Sequence, residues 1–214
     1  MKLLQRLPRG LSRPAYRMAP RAPAAVRHNS DANSPAKTKT FYGLFPQSIP
    51  HGPPPLGPFA VDLRALQREF FTLQQIAHPD VSAARSPTDV DSSYINHAYS
   101  TLRDPLSRAV YLLGLHGMDV GEDAGMVGMD DKELLMEVLE AHEVIEEARA
   151  RQDLDVLERE AKERVLESEK AVGEACESGD WERARKEAVR LRYRRNVKAA
   201  VDHWEEGKPV VLVH

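Results

Sequence analysis

Apolar side chains recur along this chain at spacings of three and four residues, and almost nowhere do they alternate as a half-buried strand requires. Leu63, Leu66, Phe70, Leu73 and Ala77 put one buried stripe on a helix from Leu63 to Ala77. Asp62 supplies an N-cap carboxylate, and Pro79 stops the helix because the residue before a proline is driven out of the α region. Beyond a polar loop, Ile95, Ala98 and Leu102 mark a second helix over roughly 90–102. Asp104-Pro105 breaks it and opens a third, reaching His116, with Ala109, Leu112 and Leu113 inward and Gly117 at its end. Three longer helices follow. The first, from Asp131 to about Ala150, carries Leu134, Val138, Ala141, Ile145 and Ala148 on one face. Leu154, Leu157, Ala161, Val165, Val172 and Ala175 predict another from about Asp153 to Glu177. Ser178-Gly179-Asp180 turns the chain into the last, with Trp181, Ala184, Ala188 and Leu191 inward, continued by Val197, Val201 and Trp204.

The expected fold is therefore all-α. Short connections between the last three helices predict an antiparallel three-helix bundle over residues 131–206, with a tail over 207–214. Two stretches break the pattern. Pro46 to Pro58 holds six prolines and two glycines in thirteen residues, which excludes a regular helix and reads as a loop. Residues 117–130 hold four glycines and four acids without periodicity and read as a linker between an N-terminal and a C-terminal domain.

Composition narrows the class. The chain has 214 residues and is 42% hydrophobic, enough for a packed core. One cysteine, Cys176, excludes a disulfide scaffold and a paired-cysteine zinc site, and its place on a helix reads as a small buried hydrophobe. No apolar run is long enough to span a membrane. Residues 1–30 contain Lys2 and six arginines and no acid, the pattern of a mitochondrial presequence, with a disordered basic arm for nucleic acid or a chloroplast leader as the other readings of the same composition; residues 31–40 read as a disordered linker. Without that leader, 23 basic residues face 33 acidic ones, a net charge of −10, so nucleic acid is not an expected partner. Residues 117–214 alone carry 16 basic and 26 acidic side chains, read as solvated helix faces.

His78-Pro79-Asp80 is the sharpest motif. It falls where one helix ends and the chain must turn back, so the proline fixes the turn and the His and Asp project from the tip of a hairpin. Read as structure alone, it is an ordinary helix stop with Asp80 satisfying local backbone donors. On the helix from Asp131, Leu135, Met136 and Leu139 lie 100° or so off the core stripe, flanked by Glu140, Glu143 and Glu147. That spacing fits a second surface, or packing of the extra leucines inside the protein. Tyr193 lies outside the Ala188/Leu191 stripe and pairs at i, i+4 with Val189, as an interface anchor would.

Together, Phe41-Tyr42-Gly43-Leu44-Phe45, the helix Leu66 to Leu73, His78-Pro79-Asp80, Ile95 to Leu102, and Asp104 to Gly117 resemble the J domain. More narrowly, with Leu135 to Glu140, they are similar to the HscB-type co-chaperones of iron–sulfur cluster assembly, over roughly residues 41–206. The resemblance implies an L-shaped, two-domain protein: a J domain over 41–116 and a C-terminal bundle. His78, Pro79 and Asp80, with Arg64 and Arg68 on the preceding helix, would meet a mitochondrial DnaK-type chaperone and stimulate its ATP hydrolysis. Leu135, Met136, Leu139, Glu140, Glu143, Glu147 and Tyr193 would hold an IscU-type scaffold protein. The protein would then act in the mitochondrial matrix as a monomer, without a cofactor, a metal or catalysis of its own. Two departures stand out. Arg64 and Arg68 are the only basic residues on the helix before His78, and that smaller charge predicts chaperone docking that is weaker and less salt-sensitive. The proline-rich insertion has no role in this reading.

No Gly-rich phosphate loop is present, and His97, His116 and His142 lack metal-ligand spacing. An acid–base pair of His78 and Asp80 would lack a nucleophile and an oxyanion site. Two other readings remain at this point: a generic J protein whose bundle serves dimerisation or another client, and a structural helical scaffold with a fortuitous His-Pro-Asp.

Overall fold

The computed structural model describes residues 40–77, 91–120 and 131–207, and among these every regular element is helical. The expected presequence and linker over 1–39, the His78-Pro79-Asp80 motif and the loop after it, most of the 117–130 stretch and the last seven residues lie outside the described residues.

A 3-10 turn at Phe41–Leu44 leads into the proline-rich segment and then α1, Leu63–Ala77. Asp62 caps α1 as its sequence position predicts: Oδ1 accepts from the Arg64 and Ala65 amides at 2.9 and 3.1 Å. α2, Ser92–Arg103, starts slightly later than the apolar pattern suggests, because Asp91 takes the capping position and accepts from the Ser93 amide. α3, Pro105–Leu115, has Pro105 in its first turn, Asp104 accepting from the Ser107 amide at 2.9 Å, and Gly117 at φ 73° just past its end. α4, Lys132–Glu147, stops short of the expected Ala150. The Asp153 carboxylate accepts from the Arg149 and Ala150 amides, each at 2.9 Å, and folds Arg151–Leu154 into a 3-10 turn instead. α5, Asp155–Ser178, and α6, Trp181–Asp202, pack along each other around a turn in which Gly179 takes φ 73°.

Two cores result, and the α5–α6 hairpin contributes to both. The first joins Phe41, Tyr42, Phe45, Leu66, Ala98, Leu102, Leu112 and Leu113 to Val172, Cys176, Ala188 and Leu191 at the turn end of the hairpin. The second joins Ala141 and Ile145 of α4 to Leu154, Leu157, Ala161, Val197 and Val201 at its other end. Cys176 is buried as expected, and burial pushes its thiol up to about 12.

Three residues depart from the pattern. Leu63, placed on the inner stripe by spacing, is half exposed in the first turn of α1. Glu69 is only 7% exposed. Its carboxylate accepts from the Gln47 amide at 3.0 Å and from the Ser48 amide and hydroxyl at 2.8 and 2.6 Å, which compensates the burial of its charge. Val189, expected outside the stripe, is buried in the first core.

Arg108 is the other buried charge among the described residues. Its guanidinium donates to the Leu102, Phe59 and Arg103 carbonyls at 2.8, 2.6 and 3.4 Å and sits 5.0 Å over the Phe59 ring. Those acceptors include carbonyls at the end of α2, which Pro105 leaves without helical partners.

Candidate functional site

α1 and α2 run back to back, tied close to the end of α1. Gln74 Nε2 donates to the Ser92 carbonyl and to Asn96 Oδ1, while the Ser92 hydroxyl donates to Gln74 Oε1 at 2.7 Å. One turn further from the tip, the Phe70 and Tyr99 rings stack at 4.2 Å. The hairpin is thus clamped just before His78, Pro79 and Asp80, which themselves lie outside the described residues.

Arg64 and Arg68 are both exposed on α1. Between them and the tip stands Phe71, 55% exposed, which sequence reasoning did not single out. Its signal was present. Phe71 is one residue off the Leu66/Phe70/Leu73 stripe and seven residues, close to two turns, beyond Arg64, so it falls on the arginine side. An aromatic next in line after two guanidinium groups makes this face partly apolar.

On α4 the off-stripe residues share one outward face. Leu135, Met136 and Leu139 are 45, 56 and 54% exposed, and Glu140, Glu143 and Glu147 are exposed beside them. Tyr193 is placed differently: it is half-buried on α6 and packs against the first core, whose Val189 lies one turn before it. The structure therefore gathers six of the seven candidate residues on one helix face and puts the seventh on another helix.

The flank of α4 beside Met136 and Glu140 is held by charge. Asp131 caps it, accepting from the Leu134 amide at 3.1 Å, and its other oxygen meets Arg190 Nε at 2.5 Å. That bond from Arg190 holds the Asp131 carboxyl below the usual carboxylate range and raises Arg190 in return. The Glu137 carboxylate pairs with Arg194 through two bonds of 3.1 and 2.9 Å, and Arg194 also donates to Ser168 Oγ on α5 at 2.9 Å. These carboxylates and guanidiniums are four-fifths shielded in the Glu137–Arg194 pair, so this part of the charge pattern is a structural network rather than a solvated face.

His116 stacks on Trp181 at 3.7 Å and His97 meets the edge of Phe41. Among the described residues no group of three or more His, Cys, Asp or Glu side chains could hold a metal ion, and no helix is long and apolar enough to cross a membrane.

A capped α1–α2 hairpin leading to His-Pro-Asp, packed on a helical bundle, defines a J domain joined to a C-terminal helical domain. Residues 130–202 match the family model described as the HSCB C-terminal oligomerisation domain. The mitochondrial J-type co-chaperone JAC1 of Saccharomyces cerevisiae is 33% identical over 180 residues, covering 83% of this chain and 95% of the yeast protein. The human iron–sulfur cluster co-chaperone protein HscB is 35% identical over 150 residues, covering 67% of this chain and 62% of its own. A solved structure of yeast Jac1 superposes with a TM-score of 0.70 at 31% identity, over 82% of this chain and 99% of that one. The crystal structure of human HscB gives 0.63 at 29% identity, over 78% and 83%. The chain belongs to the HscB/Jac1 family of J-type co-chaperones of iron–sulfur cluster assembly.

Proposed function

We propose that this protein binds an IscU-type iron–sulfur scaffold on the outer face of α4 and presents it to a mitochondrial DnaK-type chaperone. His78, Pro79 and Asp80, with Arg64 and Arg68, stimulate ATP hydrolysis in that partner, so the bond-breaking chemistry belongs to the chaperone. The working compartment is the mitochondrial matrix, in keeping with the acid-free, arginine-rich leader and with the mitochondrial yeast relative. The observation that carries the reading is the exposed Leu135, Met136 and Leu139 on a helix fixed along its flank by ion pairs. Three large apolar side chains ringed by glutamates fit a partner patch that is apolar at its centre and basic at its rim.

The test uses purified chaperone and scaffold. Replacing Leu135 and Leu139 by Ala costs about 2 kcal/mol or more of scaffold binding if they are central anchors, with helicity unchanged because both side chains stand in solvent. Tyr193→Ala is measured separately, since its half-buried ring also contributes packing. Unchanged affinity in the leucine variant removes this face from the interface. The wild-type chain accelerates chaperone ATP turnover and His78→Gln does not; equal stimulation by both ends the chaperone half of the reading.

A second reading draws on the matching family model, which is described as an oligomerisation domain. There the same α4 face joins two copies of this chain. The first reading expects a monomer in sedimentation across micromolar concentrations, and a concentration-dependent dimer abolished by Leu139→Glu selects the second.

A further inference from the structure

The proline-rich stretch 46–58 has no work in the reading above, yet both of its ends are held by polar contacts that are buried or partly buried. At one end Glu69, in the middle of α1, takes the Gln47 and Ser48 amides and the Ser48 hydroxyl on its two carboxylate oxygens. Ile49 is buried next to this anchor. At the other end the Phe59 amide donates to Glu177 Oε1 on α5 at 2.7 Å, and the Phe59 carbonyl accepts from Arg108 on α3. The Phe59 ring lies against Gly173 of α5, so closely that a Cβ there would stand 3.1 Å from Phe59 Cδ1. Between the anchors the chain closes on itself: the Gly52 amide bonds the Ile49 carbonyl, and the Leu56 and Gly57 amides bond the Pro53 carbonyl. A Cβ at Gly57 would meet the Gly52 carbonyl oxygen at 2.2 Å, so only glycine permits that closure. Six prolines fix φ along the segment and leave it little freedom to lose. It is a short stiff strap from the middle of α1 to the C-terminal third of α5.

We infer that this strap sets the bearing of α1, the helix that leads to His78-Pro79-Asp80 in the sequence, relative to the bundle, and that Glu69 and Glu177 are its positioning residues. The inference rests on the proposed function for its consequence: a scaffold held on α4 reaches the chaperone docked at α1 only if the angle between them is kept. A stiff strap raises the effective concentration of one bound partner at the other, and a loose one spreads it over more orientations. The strap touches neither partner surface. Its loss therefore weakens the coupling between the two binding events and leaves each alone intact.

The full-length chain is tested with Glu69→Leu and Glu177→Leu, which remove the acceptors at the two ends, and with Glu177→Gln, whose amide oxygen can still accept from the Phe59 amide. Spin labels at the exposed positions 67 and 162, introduced as cysteines on α1 and α5, report the distance between those helices; Cys176 is buried and protonated and stays unlabelled. The expected result is a single narrow distance in wild type and Glu177→Gln and a broadened one in both leucine variants. With it comes a roughly tenfold loss of the extra ATPase stimulation that scaffold adds, while stimulation without scaffold and the scaffold Kd are unchanged. Distances as narrow in the leucine variants as in wild type overturn the strap, whatever the activity. Broadened distances with full coupling overturn its role in positioning. A wild-type chain that stimulates no ATP turnover refutes the proposed function instead, and the distances then decide the strap on their own.

Discussion

Arg108→Met tests whether the buried guanidinium holds the N-terminal segment to the bundle or is merely tolerated there. Methionine fills most of the volume but donates nothing, so three carbonyls lose their partner. Two of those bonds, to Leu102 and Phe59 at 2.8 and 2.6 Å, are short and buried. Each acceptor left unsatisfied costs about 1–3 kcal/mol. The third, to Arg103 at 3.4 Å, is long and contributes little. Contact with the Phe59 ring adds about 1 kcal/mol that thioether packing partly restores. Against these losses stands the relief of burying a charge, the same desolvation that pulls the Arg108 pKa below its ordinary value. The net expectation is a loss of about 2–4 kcal/mol. Arg108→Lys keeps the charge but cannot span acceptors on two sides with one ammonium, and recovers less than half of it. Urea denaturation followed by far-UV circular dichroism measures both, with the slope m unchanged if the native fold persists. A methionine variant within about 0.5 kcal/mol of wild type would refute the argument, since it would mean that the carbonyls are satisfied without the guanidinium.

Two further outcomes concern other charged side chains. Glu137→Ala strips both acceptors from Arg194 and leaves a four-fifths shielded guanidinium bonded only to Ser168 and the Arg164 carbonyl; it lowers stability by about 1–3 kcal/mol, and a melting temperature within a degree of wild type contradicts this. Burial acts to raise Asp104, but the Ser107 amide and hydroxyl and Arg195 outweigh it and hold the carboxyl below 3.8. A depressed carboxylate stabilises the fold above its unfolded value and loses that contribution as pH falls through the folded one. Asp104→Asn, which keeps the cap and loses the ion pair, is therefore less stable than wild type by about 0.5–1 kcal/mol at pH 7, and the gap closes toward pH 3; a constant gap in denaturant titrations at both pH values is the contrary result.

The helices were legible because their ends are written in local chemistry: Asp62, Asp104 and Asp131 accept the amides that their positions offer, and Gly117 and Gly179 take the positive φ that ends a helix. Leu135 and Leu139 were legible for a related reason, since their distance from the α4 stripe is a count of residues. Glu69 and Arg108 were not. Apolar periodicity assigns a charged residue to the surface, and the groups that bury these two are backbone atoms 21 and 49 residues away. Val189 was missed for a different reason. α6 packs on α3, α4 and α5 at once, so its buried face is wider than the single stripe that spacing reveals.

The same arrangement explains why α4 can expose three large apolar side chains. Residues near the α5–α6 turn fill the first core with the N-terminal segment, and only the far end of that hairpin remains for α4. Ala141 and Ile145 are the fully inward α4 side chains in the second core, a narrow seam for a sixteen-residue helix. The Asp131–Arg190 and Glu137–Arg194 pairs reinforce it from the polar side, and ionic contacts of that kind fix rotation about the helix axis, which an alanine seam leaves loose. With its rotation fixed, Leu135 and Leu139 cannot roll inward to hide. They stand in solvent in a set orientation, so a partner that covers them gains apolar burial while losing little freedom in the helix that carries them.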